Sequence, residues 1–449
     1  MRKSVRLFGR SSAGAVALLV ALGLTVSACS AGTQVVLVTV TSGQPAASSQ
    51  VVAPAIAASS SAAVSGPAAA PSTSAVKIPG SNVVITAKPA FGSKNVAPDN
   101  PVSISVFAGK ISSLVLKSDD GRTITGNISS DKGTWTNNER LTFNTTYTFA
   151  GSAQSSQGKT VPIAGTISTV KPKSTESAAI QIPNGDTVGV GAPIIVTFSG
   201  VVTDRAAAER QLKVTTSAGA ALKGNWGWLQ DGDVLGNGVI RSQVHWRPTA
   251  SPATGGTPYW PAFTKVHVEA DLNGVDYGNG QWGNADITSD FTIGRSQIVI
   301  ADAATHRLVV TVNNEVTKNY AVSYGADSVP GKATLNGIHI VMDKELTVSM
   351  CNPQFNYCNA LEKWAVRIND NGEFIHQNLL ARTSFGTANV SSGCINMGVP
   401  DAQDYYNSAL YGDPVIVSNS DGGVPRMSEQ NSIYDWIYSP AQWQALSAL

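Results

Sequence analysis

Charged side chains are scarce in this chain, and the two signs nearly cancel. Only 14% of the 449 residues are Asp, Glu, Lys or Arg, and the formal net charge is +1, whereas about 25% of the residues in a typical soluble domain are charged. Nucleic acids and strongly acidic partners are bound by dense basic surfaces, which a sparse and balanced set of charges does not supply. We therefore expect no nucleic-acid partner.

Long apolar runs are also missing beyond the N-terminus. Residues 13–24 are apolar and follow the basic residues Arg2, Lys3, Arg6 and Arg10. This run is too short to span a bilayer comfortably and is typical of a signal peptide. No second run of 18 or more apolar residues follows, so the rest of the chain is expected to lie outside the membrane.

The end of the predicted signal peptide carries a cysteine. The sequence Val26-Ser27-Ala28-Cys29 resembles a lipobox, in which small residues precede a cysteine that becomes acylated. The alternative is an ordinary signal peptide with an incidental cysteine. Because two acyl chains suffice for stable anchoring, we predict that residues 1–28 are removed and that Cys29 anchors the exported chain to the outer face of the cytoplasmic membrane.

Cysteine is rare, with four residues in the chain. If Cys29 is acylated, three remain, and an odd number in an exported protein leaves one thiol over. Cys351 and Cys358, with six residues between them, can form a disulfide. Free thiols or a metal site are the alternative, which an oxidising compartment and the lack of a nearby histidine cluster disfavour. Cys394 is then a free thiol that requires an explanation, and no metal or cofactor is predicted.

Thr, Ser, Gly, Val and Ala dominate the composition, which favours a mainly β fold. Residues 29–77 form an Ala-, Ser- and Pro-rich linker. Residues 78–172 and 173–294 contain short runs of alternating apolar and polar residues, with turn signals such as Asp120-Gly121. These patterns predict two tandem immunoglobulin-like β-sandwiches.

Trp residues in the second predicted sandwich admit two interpretations. Trp226, Trp228 and Trp246 form either a face on which a glycan stacks or part of the core. Core packing is favoured because Trp is highly buried on average. Whether the two sandwiches bind glycan or act only as spacers stays open.

A third β-rich domain is predicted for residues 295–418, where a meander with an Asn-Asn turn is followed by further strands and a short helix. The remaining residues, 419–449, form a polar tail that contains Trp436 and Trp443. We expect these two large apolar side chains to pack the tail onto the third domain.

Chemistry is indicated by the segment around Cys394. Gly393 permits backbone angles closed to other residues, so the N–H groups of Ser392, Gly393 and Cys394 can converge to form an oxyanion hole. A thiol with an ordinary pKa of about 8.5 needs a base or a neighbouring cation. His376 ends a predicted strand eighteen residues upstream of Cys394, and we predict that it is this base.

The spacing from His376 to Cys394 and the motif Ser-Ser-Gly-Cys-Ile-Asn resemble the L,D-transpeptidase catalytic domain, also called YkuD-like. The resemblance covers about residues 296–418. The order of acylated cysteine, linker, two immunoglobulin-like domains, catalytic domain and Trp-containing tail is similar to that of the actinobacterial members.

The resemblance implies a mechanism on peptidoglycan stem peptides. Cys394 would attack the carbonyl between the third and fourth residues of a donor tetrapeptide and release D-alanine, with His376 as base and the Gly393 and Cys394 N–H groups holding the oxyanion. A diaminopimelate amine of an acceptor stem would resolve the thioester, which gives a 3→3 cross-link. Asn396 matches a motif position near the substrate, and family members are typically acylated by carbapenems.

Two positions depart from the family pattern. Many relatives have His where this chain has Ser392, and Gly or Ser where it has Gln377. The group that orients the imidazole therefore stays open, and a backbone carbonyl is one candidate. The usual Pro-Thr-Pro-x-Gly segment is degenerate at residues 333–337. Cys351 and Cys358 fall where the family has a lid over the site, so their disulfide would stiffen that lid.

Other classes fit less well. NlpC/P60-type hydrolases place Cys before His in sequence, and sortases place His much further upstream and an essential Arg after Cys. An L,D-carboxypeptidase of the same fold, in which water resolves the thioester, stays possible. So does a non-catalytic wall-binding lipoprotein, which Ser392 and Gln377 favour.

Overall fold

The computed structural model describes residues 73–77, 81–355, 357–420 and 426–449. The predicted signal peptide, Cys29 and nearly all of the linker lie outside these residues. No helix among the described residues is long and apolar enough to cross a membrane. The mainly β architecture predicted from the sequence is confirmed.

Two sheets form the first sandwich, which contains nine strands, β1 to β9. One sheet has the order β1-β2-β3-β7-β6 and the other has the order β5-β4-β8-β9. The strands are β1 Ser74–Lys77, β2 Val84–Lys88, β3 Ser103–Phe107, β4 Gly109–Ser118, β5 Thr123–Ile124, β6 Gly126–Ile128, β7 Thr134–Asn137, β8 Thr146–Ser155 and β9 Thr160–Ser168.

Alternation along the strands builds the core of this sandwich. Ile104 and Trp135 of one sheet face Tyr147 and Phe149 of the other, and all four side chains are buried, because successive side chains of a strand point to opposite faces. Gly121 has a φ of 89° in the turn between β4 and β5, where the Asp-Gly pair predicted a hairpin.

The first strand lies in the segment predicted as linker. Residues 74–77 pair antiparallel with β2, and most of their side chains are exposed. An edge strand of this kind is held by backbone hydrogen bonds and buries little apolar surface. Its composition therefore gives no strand signal, and the linker boundary at residue 77 was placed too late.

The second sandwich packs a four-stranded sheet, β11-β13-β16-β15, against another, β12-β20-β17-β14, with a small sheet β10-β19-β18 beside them. The elements are β10 Ser174–Glu176, β11 Ala178–Ile180, β12 Thr187–Val188, β13 Ile194–Phe198, α1 Arg205–Glu209, β14 Leu212–Thr216, β15 Gly224–Trp228, β16 Gln243–Pro248, β17 Lys265–Ala270, β18 Asp276–Gly278, β19 Gln281–Gly283 and β20 Ile287–Ile293.

Trp226, Trp228 and Trp246 all belong to the core of the second sandwich. Their side chains are between 4% and 7% exposed. They therefore present no face on which a glycan could stack, and the interpretation as core packing is confirmed.

The third domain is built on one nine-stranded sheet with the order β24-β29-β21-β22-β23-β28-β27-β26-β25. Its elements are β21 Gln297–Asp302, β22 Arg307–Val312, β23 Glu315–Ser323, β24 Gly337–Ile340, β25 Asp343–Asn352, β26 Tyr357–Arg367, β27 Phe374–Gln377, β28 Ile395–Met397, α2 Asp401–Ser408 and β29 Pro414–Ser418. Strands β25 and β26 form a long antiparallel ribbon at the edge of the sheet, which we call the lid hairpin (residues 343–367).

The tail packs differently from the sequence-based expectation. Its helix α3 spans Pro440–Gln444, and Trp443 is buried against the second sandwich, where its Nε1 donates to the backbone oxygen of Asn225 over 3.2 Å. Gly227 leaves room for the Trp443 ring, because a Cβ at this position would lie 3.0 Å from it. Trp436 contacts apolar residues of both the second sandwich and the catalytic domain. The expectation that both Trp residues pack on the catalytic domain was therefore wrong for Trp443.

Candidate active site

The histidine and the free thiol identified in the sequence meet in the middle of the large sheet. Strands β27 and β28 are parallel neighbours, with His376 opposite Asn396, and Cys394 immediately precedes β28. Burial alone would lower the pKa of His376, but hydrogen bonding to Cys394 and to Glu362 outweighs it and raises that pKa to about 10. The pair therefore favours a charged imidazolium beside the sulfur.

The Nδ1 atom of His376 is held by two acceptors. It donates to the backbone oxygen of Gln377 over 2.8 Å, and the Oε2 atom of Glu362 lies 3.4 Å from the same nitrogen. A carbonyl only accepts, so Nδ1 carries a proton and Nε2 is left to face the sulfur of Cys394. The Gln377 carbonyl is thus the group that orients the imidazole, whatever side chain residue 377 carries.

Sequence analysis missed Glu362. A glutamate in a long hairpin strand usually faces solvent, and only the fold of the hairpin against β27 turns this one toward His376. Its side chain is 18% exposed. The alternating pattern of β26 placed it on the inward face with Trp364, which was the one signal available.

The loop before Cys394 is fixed by hydrogen bonds. Gly393 has a φ of 121°, a region that favours glycine, and its N–H donates to Ser391 Oγ over 3.2 Å. Ser391 Oγ in turn donates to the backbone oxygen of Cys394, and Thr334 Oγ1 donates to that of Gly393. In the described part of the chain, the N–H groups of Ser392 and Cys394 donate to no protein acceptor. The Gly393 N–H is thus engaged within the loop, whereas those of Ser392 and Cys394 remain available, and the oxyanion role predicted for Gly393 and Cys394 stays a prediction.

The sulfur of Cys394 is almost covered. The residue is 8% exposed and contacts Ala365 and Phe374, with Met350 of the lid hairpin against them. Its Sγ lies 3.6 Å from the backbone oxygen of Gly372. The thiol is therefore screened from bulk water but lies directly behind the wall of a cavity.

This cavity has a volume of about 510 Å³ and lies between the lid hairpin and the Cys394 loop. Ser392 and Gly393 form one wall, while Cys351 and Tyr357 belong to the hairpin wall. Cys351 and Cys358 are joined in a disulfide that closes the hairpin tip. A cleft of this size fits a peptide segment or a small acylating molecule.

Asn396 lies beside His376 with its side chain 2% exposed. The Oδ1 atom of Asn396 is buried and has no hydrogen-bond partner. Buried polar atoms are normally paired, but Asn396 does not line the cavity, so its expected place near the substrate stays a prediction.

The degenerate segment at residues 333–337 supports the site from behind. Thr334 holds the Gly393 carbonyl, and the N–H of Leu335 donates to the Glu373 carboxylate over 2.8 Å. Asn369 also donates to Glu373, and burial raises the pKa of this carboxyl group. The segment therefore fixes the Cys394 loop through the Thr334 hydroxyl and holds Glu373 through a backbone amide, and neither bond requires the prolines that are missing.

Comparison with known proteins agrees with this geometry. Residues 296–417 match the family described as the L,D-transpeptidase catalytic domain, and residues 93–276 match the one described as a bacterial Ig domain. The chain is 39% identical to L,D-transpeptidase 5 of Mycobacterium tuberculosis, over 81% of this chain and 77% of that protein. The chain belongs to the L,D-transpeptidase family. Membership indicates an acyltransferase-type enzyme, and the resemblance drawn from the sequence motif is confirmed.

The chain is also similar to other proteins named L,D-transpeptidase. L,D-transpeptidase 2 of Mycobacterium tuberculosis is 31% identical over 81% of this chain and 85% of its own length. Among solved structures, that of the L,D-transpeptidase LdtMt1 in complex with imipenem is 30% identical, covers 54% of this chain and 97% of the solved chain, and has a TM-score of 0.42.

Proposed function

We propose that this protein forms 3→3 cross-links in peptidoglycan through a thioester on Cys394. The observation that carries the proposal is the His376–Cys394 pair behind a 510 Å³ cavity. A thiol of this kind is a nucleophile only when a base or cation activates it, and His376 is placed to do so.

In the first half-reaction, Cys394 Sγ attacks the carbonyl carbon of the third residue of a donor tetrapeptide. The thiol proton resides on His376 Nε2, and the Ser392 and Cys394 N–H groups stabilise the oxyanion. The C–N bond to D-alanine then breaks, the leaving amine takes the proton from His376, and the acyl group stays on sulfur. Because the oxyanion donors are backbone groups, replacement of a family His by Ser392 removes none of them.

In the second half-reaction, the side-chain amine of diaminopimelate on an acceptor stem attacks the thioester. His376 accepts the amine proton, the C–S bond breaks, and Cys394 leaves as a thiolate paired with the imidazolium. The new amide joins two third-position residues. Water in place of the amine would give an L,D-carboxypeptidase instead.

The proposed location is the outer face of the cytoplasmic membrane, facing the cell wall. The lipobox-like sequence that ends at Cys29 and the uncharged linker that follows it support this location. A segment of this composition is typical of a tether, which would let the folded domains reach the wall.

Carbapenem acylation tests the nucleophile. Intact-protein mass spectrometry after incubation with a carbapenem is expected to show one adduct on the wild type and none on Cys394→Ala. A wild type that stays unmodified would instead favour a wall-binding lipoprotein without activity. The solved relative in complex with imipenem makes this class of probe the natural choice.

Stem-peptide turnover tests the reaction type. The protein is incubated with a disaccharide tetrapeptide and a diaminopimelate-containing acceptor, and the products are analysed by mass spectrometry. A 3→3 dimer is the expected product. Release of tripeptide without dimer, at any acceptor concentration, would assign the carboxypeptidase reaction.

A further inference from the structure

The lid hairpin brings a second ionisable group to the active-site histidine. Glu362 Oε2 lies 3.4 Å from His376 Nδ1, the ring nitrogen that also donates to the Gln377 carbonyl. The mechanism above needs only the Gln377 carbonyl at Nδ1, so it leaves this carboxylate without a role.

A half-buried carboxylate requires a partner that compensates for its lost hydration. Within the described residues, His376 is the one cationic side chain within 4.0 Å of Glu362. The neighbouring residues Leu361 and Lys363 are exposed to solvent, whereas the side chain of Glu362 lies on the opposite, inward face of the strand. The alternation of β26 places this side chain on the inward face, and the imidazole is the cation beside it there.

We propose that Glu362 is a positioning residue that extends the Cys394–His376 pair into a triad, in which its carboxylate stabilises the imidazolium and fixes the plane of the ring. The inference deepens the proposed function and rests on it for its kinetic consequence. It also couples the lid hairpin to the reacting pair, because a hairpin that moves away carries this carboxylate with it.

The titratable groups at and near the imidazole have to be considered together. Cys394 and Glu362 both favour the charged ring. Tyr357, at the start of β26, has its pKa raised by burial and by the charges of Cys394 and Glu362, so its phenol stays neutral. Glu373 is turned away toward His339, whose Nδ1 lies 3.8 Å from its Oε2.

The experiment titrates the histidine ring by NMR in full-length protein, with the His376 signal identified by its loss in His376→Gln. Glu362→Gln keeps the shape of the side chain and removes its charge, and is expected to lower the pKa of His376 by about 1 to 3. Glu362→Asp is expected to retain part of the effect. Glu345→Gln is the matched control, because it removes a carboxylate of the same hairpin whose nearest cation is Arg367 at 3.9 Å.

Kinetics provide the second measurement. A lowered pKa moves the pH at which the imidazolium is lost down by the same amount, so the alkaline decline of carbapenem acylation is expected to occur about 1 to 3 pH units lower in Glu362→Gln than in the wild type. In a His376→Ala background the same substitution is expected to slow alkylation of Cys394 no further, since groups that act through one partner are not additive.

Two results would overturn the triad. One is a His376 titration that is unchanged in a folded Glu362→Gln protein, and the other is an equal change in Glu345→Gln. A lowered pKa in a protein that no carbapenem acylates would leave the triad standing and refute the proposed function instead.

Discussion

At the scale of single residues, the ionisation of His376 sets the pH range of the reaction. Its pKa is raised to about 10, above the ordinary value of about 6.5. A group of this kind contributes stability that is complete below the ordinary pKa and is lost as the pH rises through the raised one. His376 also loses the proton that the leaving nitrogen takes up as the pH rises through about 10. We expect carbapenem acylation to decline over the same pH range.

Acylation rates measured by mass spectrometry across this range check the prediction. His376→Gln serves as the control, because it removes the titrating group. An alkaline decline centred near the ordinary histidine value would show that the contacts with Cys394 and Glu362 do not stabilise the imidazolium.

Thr334 offers a second prediction at this scale. It is fully buried, donates to the Gly393 carbonyl over 2.8 Å and accepts from the Gly325 N–H over 3.0 Å. Thr334→Val leaves both backbone groups unpaired, which costs about 1–3 kcal/mol for a buried group. Urea unfolding is expected to show this loss, together with slower acylation because the Cys394 loop is less fixed.

Thr317→Val is the matched control for this substitution. Thr317 donates to the Val310 carbonyl from an exposed position on β23, where water replaces the lost bond. Equal destabilisation by the two variants would mean that Thr334 has no special part in holding the loop.

At this scale, some site residues could be predicted from the sequence and others could not. Cys394 and His376 were predictable because the chemistry of each requires the other, and both lie in one short motif. Glu362 was not predictable, because the direction of its side chain depends on how a separate hairpin folds back. The hydrogen bond from the Gly393 N–H to Ser391 Oγ depends on the rotamer of the serine side chain, which a sequence pattern does not determine.

At the scale of elements, the lid hairpin is the part most open to experiment. Cys351 and Cys358 close its tip, and a short loop of this kind contributes about 2–3 kcal/mol in the chain-entropy description. The double substitution Cys351→Ser with Cys358→Ser is expected to speed hydrogen exchange in residues 343–367 and to weaken carbapenem acylation, since Met350 of this hairpin packs against the cluster that contains Cys394.

Mass spectrometry of exchanged peptides measures this effect, and the first sandwich serves as the internal reference. Equal exchange in the hairpin with and without the disulfide would mean that packing of the hairpin on β27 already fixes it. A non-reduced digest is expected to contain one peptide that joins the two cysteines.

Strands and turns could be predicted where burial on one face produces an alternation of apolar and polar residues in the sequence. The Asn313-Asn314 turn has φ values of 51° and 69°, which asparagine tolerates and which suit a tight hairpin, so the meander was correctly identified. Strand β1 escaped prediction because its stability comes from backbone pairing at a sheet edge. The parallel pairing of β27 with β28 links segments eighteen residues apart, and alternation alone does not specify which strands become neighbours.

At the scale of the whole molecule, the tail joins the second sandwich to the catalytic domain. Trp443 packs on β15, and Arg247 lies over its ring at 4.5 Å from the centroid. Asp435 pairs with the buried His245 of the second sandwich over 2.9 Å. An apolar pattern indicated that the tail would dock somewhere, but the docking surface became evident only once Gly227 was seen to leave room for the ring.

Trp443→Ala tests this arrangement. The side chain is 2% exposed, and truncation of a buried Trp costs about 3–5 kcal/mol of folding stability. Thermal unfolding is therefore expected to begin at a lower temperature than in the wild type, and to begin in the second sandwich and the tail. Leu449→Ala, at a 66% exposed position of the same tail, is the control and is expected to unfold like the wild type. Because Trp443 packs on the second sandwich and on the tail itself, carbapenem acylation at low temperature should be retained, and its loss would instead indicate that the tail holds the catalytic domain in its active form.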